Sequence, residues 1–230
     1  MAELLHRVEI YDTTLRDGAQ GPGIKFSADD QLRVVQALDE LGIAYIEGGQ
    51  PGSNPKAAEL FRRAKDLELK QAKLAAFGST RHPKSTVEED INIRALLDAQ
   101  TEVVTIFAKT SPMHAVEVLG VSLERNLDLV AESVAYLKAQ GRRVFLDAEH
   151  FFDGYGEDAE YAMTVLERAV GRGLCRRQAR RRIAAARGPR ARGRPARGGN
   201  SQPGVRAASR SGEPEGGADA EAPPQVQIGK

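Results

Sequence analysis

Five short apolar runs, each followed by a stretch of helical periodicity, confine this chain to a small set of folds. The runs cover Val8–Asp12, Tyr45–Gly48, Leu74–Phe77, Val103–Ala108 and Val144–Ala148. Runs this short and this apolar read as strands buried on both faces. Apolar residues then recur at helical spacing over Ala28–Leu41, Pro55–Leu67, Val87–Ala99, Leu123–Gln140 and Ala159–Val170. Five strand–helix units in series predict an α/β fold with a parallel sheet, because parallel neighbours need long, right-handed crossovers.

The helix starts carry local signals. Ser27 stands before Ala28-Asp29-Asp30, so its hydroxyl can cap the first turn while the acids face the positive end of the helix dipole. Ser85 or Thr86 before Val87-Glu88-Glu89-Asp90, and Ser122 before Leu123-Glu124, repeat the arrangement. Gly42 and Gly141 follow the first and fourth helices as stops.

A doubly wound sheet and a (β/α)8 TIM-type barrel both contain such units. The first would open on a glycine-rich phosphate turn, whereas the loop after the first strand reads Arg16-Asp17-Gly18. A barrel instead gathers single polar residues from many strand ends on one rim. Asp12, Arg16 and Asp17 follow the first strand, Glu47 the second, Lys109 and Thr110 the fourth, Glu149 and His150 the fifth. The expectation is therefore the first five units of a TIM-type barrel over residues 1–170.

Charge marks a boundary at the same place. Residues 1–170 hold 19 Lys and Arg against 28 Asp and Glu, whereas 171–230 hold 14 against 4. After Val170 periodicity stops and Arg, Ala, Gly and Pro dominate, the composition of a disordered tail. A basic tail suits nucleic acid electrostatically. This one has no aromatic residue for base stacking, so nucleic acid is not the expected partner. The single cysteine, Cys175, excludes an internal disulfide. No apolar run approaches the roughly 20 residues that span a bilayer, and the N-terminus lacks a secretory pattern, so a soluble cytoplasmic protein is expected.

The densest polar stretch is Asp12-Thr13-Thr14-Leu15-Arg16-Asp17-Gly18-Ala19-Gln20, two carboxylates, a guanidinium and an amide at a strand mouth. A surface salt bridge would give the same composition, but charged groups at strand ends are also where α/β proteins keep their chemistry. The stretch resembles the signature of the acyl-CoA/α-keto acid condensing enzymes: the 2-isopropylmalate, homocitrate and citramalate synthases, with the HMG-CoA lyases as relatives. Two further motifs, Glu47-Gly48-Gly49-Gln50-Pro51-Gly52-Ser53-Asn54-Pro55-Lys56 and Asp147-Ala148-Glu149-His150-Phe151-Phe152-Asp153-Gly154-Tyr155, resemble the citramalate synthase branch most.

That resemblance implies a metal-assisted condensation of acetyl-CoA with a small α-keto acid, pyruvate in the citramalate branch, within branched-chain amino-acid biosynthesis. It implies a divalent metal (Mg, Mn or Zn) with Asp17 as ligand, and Arg16 stabilising the developing oxyanion and binding substrate. Glu149 is implied in substrate positioning or proton transfer, Glu47 as the family's strand-two acid, and Gln20 in orienting polar groups around the metal. His150 joins the catalytic candidates and His114 the substrate-binding ones, because an imidazole beside a strand end can shuttle protons. His6 and His82 read as surface residues. A homodimer is the family's implied assembly.

Departures are equally specific. Gln50 stands where the branch carries Trp, Ala57 where it carries an acid, and Ser111-Pro112-Met113 differs from the usual lead into His114. The family closes its barrel with three further units bearing an Asp-Thr-Asn-Gly turn and a His-x-His metal pair. No histidine follows His150 here. The expectation is an incomplete metal site and weak or absent activity, with residues from about 171 read out of frame.

Overall fold

The computed structural model describes residues 8–53 and 55–172. Five strands, β1 (Tyr11–Asp12), β2 (Tyr45–Glu47), β3 (Lys73–Ser79), β4 (Val103–Lys109) and β5 (Arg143–Glu149), form one parallel sheet in the order β1-β2-β3-β4-β5. Each strand thus lies beside its sequence neighbour, the winding of a barrel; a doubly wound sheet would reverse direction at a switch point. The sheet is a curled half-barrel with helices α1 (Ala28–Leu41), α2 (Pro55–Ala64), α3 (Ile91–Asp98), α4 (Leu123–Ala139), α5 (Phe151–Glu157) and α6 (Ala159–Gly171).

Strand alternation sorts side chains into two layers. Ile46, Ala76, Val104, Ile106 and Val144 pack toward the helices, meeting Leu96, Val130, Val134 and Val165 or, for Ile46, Val35 and Leu60. Tyr45, Ala75, Val103 and Phe145 form a separate cluster with Tyr11 on the concave side. By the same parity Glu47, Phe77 and Thr105 share that concave side. The last residues of the strands, Asp12, Glu47, Ser79, Lys109 and Glu149, therefore mark one rim.

The capping expectations hold at two helices. Ser27 forms a full capping box with Asp30, and Ser122 accepts the Arg125 N–H at 3.1 Å. Helix α3 is a correction: it begins at Ile91, with Asp90 as its cap. The Asp90 carboxylate accepts the N–H groups of Asn92 and Ile93 at one oxygen and of His82 at the other, which outcompetes the weaker Thr86 cap on Glu89. Strand β1 is also shorter than expected, because Val8 and Ile10 are exposed and only Tyr11 and Asp12 pair with β2. Helix α2 stops at Ala64, three residues before the predicted end. Helix α5 is unanticipated. It follows His150, whose φ of 54° turns the chain sharply, and it seats Gly154 where a Cβ would lie 2.5 Å from the Thr110 carbonyl oxygen. The basic tail from residue 173 and His6 lie outside the described residues.

One buried carboxylate ties α1 to the approach to β3. Asp39 accepts the N–H groups of Lys70, Gln71 and Ala72 at 2.7, 2.9 and 2.7 Å. Burial alone would push its carboxyl up, but these three donors outweigh burial and hold it below its ordinary 3.8. A group depressed in this way stabilises the fold above its unfolded pKa, and the contribution disappears as pH falls through the folded value. We expect Asp39→Asn to lower stability by about 2 kcal/mol at neutral pH. Urea unfolding at a series of pH values should show the gap from wild type closing below about pH 4.

Candidate active site

The loop after β1 is shaped by its own short polar side chains. Asp12 accepts the Thr14 N–H at 2.9 Å and its hydroxyl at 3.1 Å, and the Thr13 carbonyl accepts three successive N–H groups from Arg16, Asp17 and Gly18. Leu15, 3% exposed, anchors the loop in the helix-side core beside Val35 and Leu60. A single 3₁₀ turn, Gly18–Gln20, closes it.

With Leu15 pinned inward, Arg16 lies over the concave side. Its Nε donates to Oε1 of Glu47, its Nη1 lies 3.4 Å from Asp17 Oδ1, and its guanidinium carbon stands 4.1 Å above the Phe77 ring. Glu47 is 2% exposed, and its other oxygen accepts the Tyr11 hydroxyl at 2.6 Å. The same hydroxyl lies 2.6 Å from Oγ1 of Thr105. Burial raises the Glu47 carboxyl above its usual range and the charge of Asp147 adds to this, while the bonds from Tyr11 and Arg16 oppose it. The Tyr11 phenol is driven far above its own range by burial and by the negative charge of Glu47, so it stays a proton donor.

The second half of the rim is built from β4 and β5. Lys109 and Glu149 are register partners, and Nζ of Lys109 lies 2.5 Å from Oε2 of Glu149, each side chain 19% exposed. Thr110 Oγ1 donates to the Glu149 carbonyl, and Asn126 Nδ2 donates to the Lys109 carbonyl. Beyond them the His114 and His150 rings meet with centroids 4.5 Å apart, and Nδ1 of His150 lies 3.5 Å from Asp153. His114 opens a π-helical turn over His114–Val118, and its buried Nδ1 has no hydrogen-bond partner among the described residues.

Arg16, Asp17 and Glu47 thus meet in one cluster, Glu149 pairs with Lys109, and the two histidines touch each other. Gln20 lines a cavity of about 430 Å³ with Arg16, Gly48, Gly49, Gln50 and Phe77. Sequence patterning alone does not single out Tyr11, Thr105 or Phe77. The available signal was register: Tyr11 pairs with Tyr45, two residues before Glu47, and so faces the same way. As for a metal, no three His, Cys, Asp or Glu side chains among the described residues converge in a geometry that could hold one. Asp17, one carboxylate beside a guanidinium, is too few donors for a divalent ion.

Comparison with known proteins gives consistent results. The chain is 50% identical over 167 residues to the (R)-citramalate synthase of Aquifex aeolicus, covering 73% of this chain and 32% of that protein. It is 32% identical over 169 residues to a 2-isopropylmalate synthase of Streptococcus gallolyticus, covering 74% of this chain and 31% of that one. The chain therefore spans about a third of the length of the curated relatives it matches. Among solved structures, the HMG-CoA lyase of Bacillus subtilis superposes with a TM-score of 0.57 at 19% identity, over 73% of this chain and 56% of that one, a likeness of fold. The HMGL-like family model matches residues 7–176, a span that takes in every described strand and helix, and the chain belongs to that family.

Proposed function

We propose that this chain carries the substrate-holding part of a citramalate synthase-type acyltransferase site. The supporting observation is the buried Arg16–Glu47 pair within a motif-bearing region that is 50% identical to a protein named (R)-citramalate synthase. In the proposed reaction a base takes a methyl proton from acetyl-CoA, the resulting carbanion adds to the keto carbon of pyruvate as the C=O π bond opens, the keto oxygen takes up a proton to become a hydroxyl, and water then cleaves the thioester to a carboxylate and the CoA thiol. Two of the five N–H donors of Arg16 are engaged by Glu47 and Asp17, so the guanidinium is oriented while retaining donors for an oxyanion. Glu149, held by Lys109, is the proposed proton-handling or substrate-positioning carboxylate.

Pyruvate is favoured over bulkier keto acids because identity falls from 50% to 32% between the citramalate and 2-isopropylmalate synthases. Asp17 is the described residue suited to a divalent metal such as Mg, Mn or Zn, which would polarise the keto group. The remaining donors would have to come from outside the described residues. Gln20, which lines the same cavity as Arg16, and His114 are the proposed further substrate-binding residues, and His150, whose ring meets that of His114, is a proposed catalytic one. A homodimer and a cytoplasmic setting belong to the same reading; among the described residues no helix is long and apolar enough to cross a membrane.

Thiol release from acetyl-CoA tests the reading, measured for this chain and for a version extended to the relatives' length, with added divalent metal. The extended protein should turn over pyruvate about tenfold or more faster than 2-oxoisovalerate or 2-oxoglutarate. This chain alone should be weak or inactive. Arg16→Lys should cost the extended protein about 100-fold in kcat. Preference for another keto acid, no thiol release by the extended protein, or an Arg16→Lys variant at full rate would each overturn the proposal.

A further inference from the structure

We propose that Tyr11 and Thr105 are positioning residues for Arg16, acting through Glu47. The proposal rests on the role given to Arg16 above, but the geometry behind it stands on its own. Glu47 is 2% exposed and Thr105 5%, so bulk solvent reaches neither side chain. One carboxylate oxygen of Glu47 takes the Arg16 Nε–H, and the other takes the Tyr11 hydroxyl.

Proton counting fixes the direction of the rest. A phenol has one proton, and an ionised carboxylate only accepts. The Tyr11 proton therefore goes to Glu47, and the 2.6 Å contact between Tyr11 and Thr105 must be a bond donated by the threonine hydroxyl. The resulting chain runs from Thr105 on β4 to Tyr11 on β1, to Glu47 on β2, and back to Arg16 on the loop after β1. It thus crosses the concave side and links three strands.

Tyr11 is a fixed reference point in this chain because its ring is held as well as its hydroxyl. Its centroid lies 6.1 Å from Tyr45 in a stacked arrangement and 5.7 Å from Phe145. Those two rings meet edge-on at 5.0 Å, and the Arg143 guanidinium carbon lies 5.0 and 5.3 Å from them. Without the phenol hydroxyl, one oxygen of Glu47 has lost its donor at a position bulk solvent does not reach. The carboxylate is then free to rotate toward other donors, and the guanidinium bonded to it loses its fixed orientation.

Carboxyl ¹³C NMR on the full 230-residue chain tests this without requiring turnover. Glu47→Gln identifies the Glu47 resonance, and amide spectra of α4 and α6 report that each variant is folded. The Tyr11 bond holds the Glu47 carboxyl down, so Tyr11→Phe should move its titration midpoint to higher pH and broaden the Arg16 Nε–H signal. Thr105→Val should shift both in the same direction by less, and Thr105→Ser, which keeps the hydroxyl, should restore wild-type behaviour. If Tyr11→Phe does not fold, the Thr105 pair decides the matter. The proposal is overturned if Tyr11→Phe and Thr105→Val leave both signals at their wild-type positions, or if Thr105→Ser perturbs them as much as Thr105→Val. A chain that shows the expected shifts while its extended form releases no thiol would support this linkage and count only against the acyltransferase reading.

Discussion

The pairing of Arg16 with Glu47, buried where two strand ends meet, is the interaction on which the rest of the described structure depends. An ionised carboxylate at 2% exposure is costly unless both oxygens are bonded and a countercharge is adjacent. The fold meets both conditions from separate elements. The β1 loop delivers Arg16, β1 itself delivers Tyr11, and Phe77 on β3 lies beneath the guanidinium plane. Asp147 on β5 adds a second negative charge nearby, which makes the positive charge of Arg16 harder to dispense with. Removing one member would leave either the Glu47 carboxylate beside the Tyr11 phenol or the Arg16 guanidinium over the Phe77 ring without its countercharge, so the cluster constrains its own surroundings.

Architecture explains why such a cluster can exist. Sequential parallel strands place every C-terminal strand end on one rim, and each loop then leads away into a helix whose packing is apolar and undemanding. The period of two separates the labour along a single strand. In β4, Val104 and Ile106 pack toward the helices while Val103 and Thr105 face the concave side, so a polar residue can serve the site without disturbing the helix-side core. Clamping of β4 to β5 by the Lys109–Glu149 pair, the Thr110 hydroxyl and the close seat of Gly154 gives the opposite side of the rim similar rigidity.

Much of this was legible in the sequence because the deciding forces are local. Ser27 and Ser122 announce helix starts since the capping bond spans only a few residues, and the order of strands and helices follows from periodicity. Arg16, Asp17 and Glu47 were recognisable as charged groups at strand ends, although nothing local says that Arg16 and Glu47 bond across 31 positions. Asp90 was hidden because its third partner, the His82 N–H, arrives from eight residues earlier. The helix Phe151–Glu157 was hidden because Gly154 and Gly156 argue against helix, and only tertiary contact with Thr110 makes a glycine obligatory there. Tyr11 and Thr105 read as ordinary strand residues; their role appears only when register places both hydroxyls beside one carboxylate.

Arg16 and Glu47 behave in this structure as one energetic unit. A double-mutant cycle of Arg16→Met, Glu47→Gln and the double variant, followed by urea unfolding of the full chain, measures this most directly. Each single change should be strongly destabilising and the double variant should lose less than their sum, with a coupling of about 2 kcal/mol. Losses that simply add, within about 0.5 kcal/mol, would contradict it.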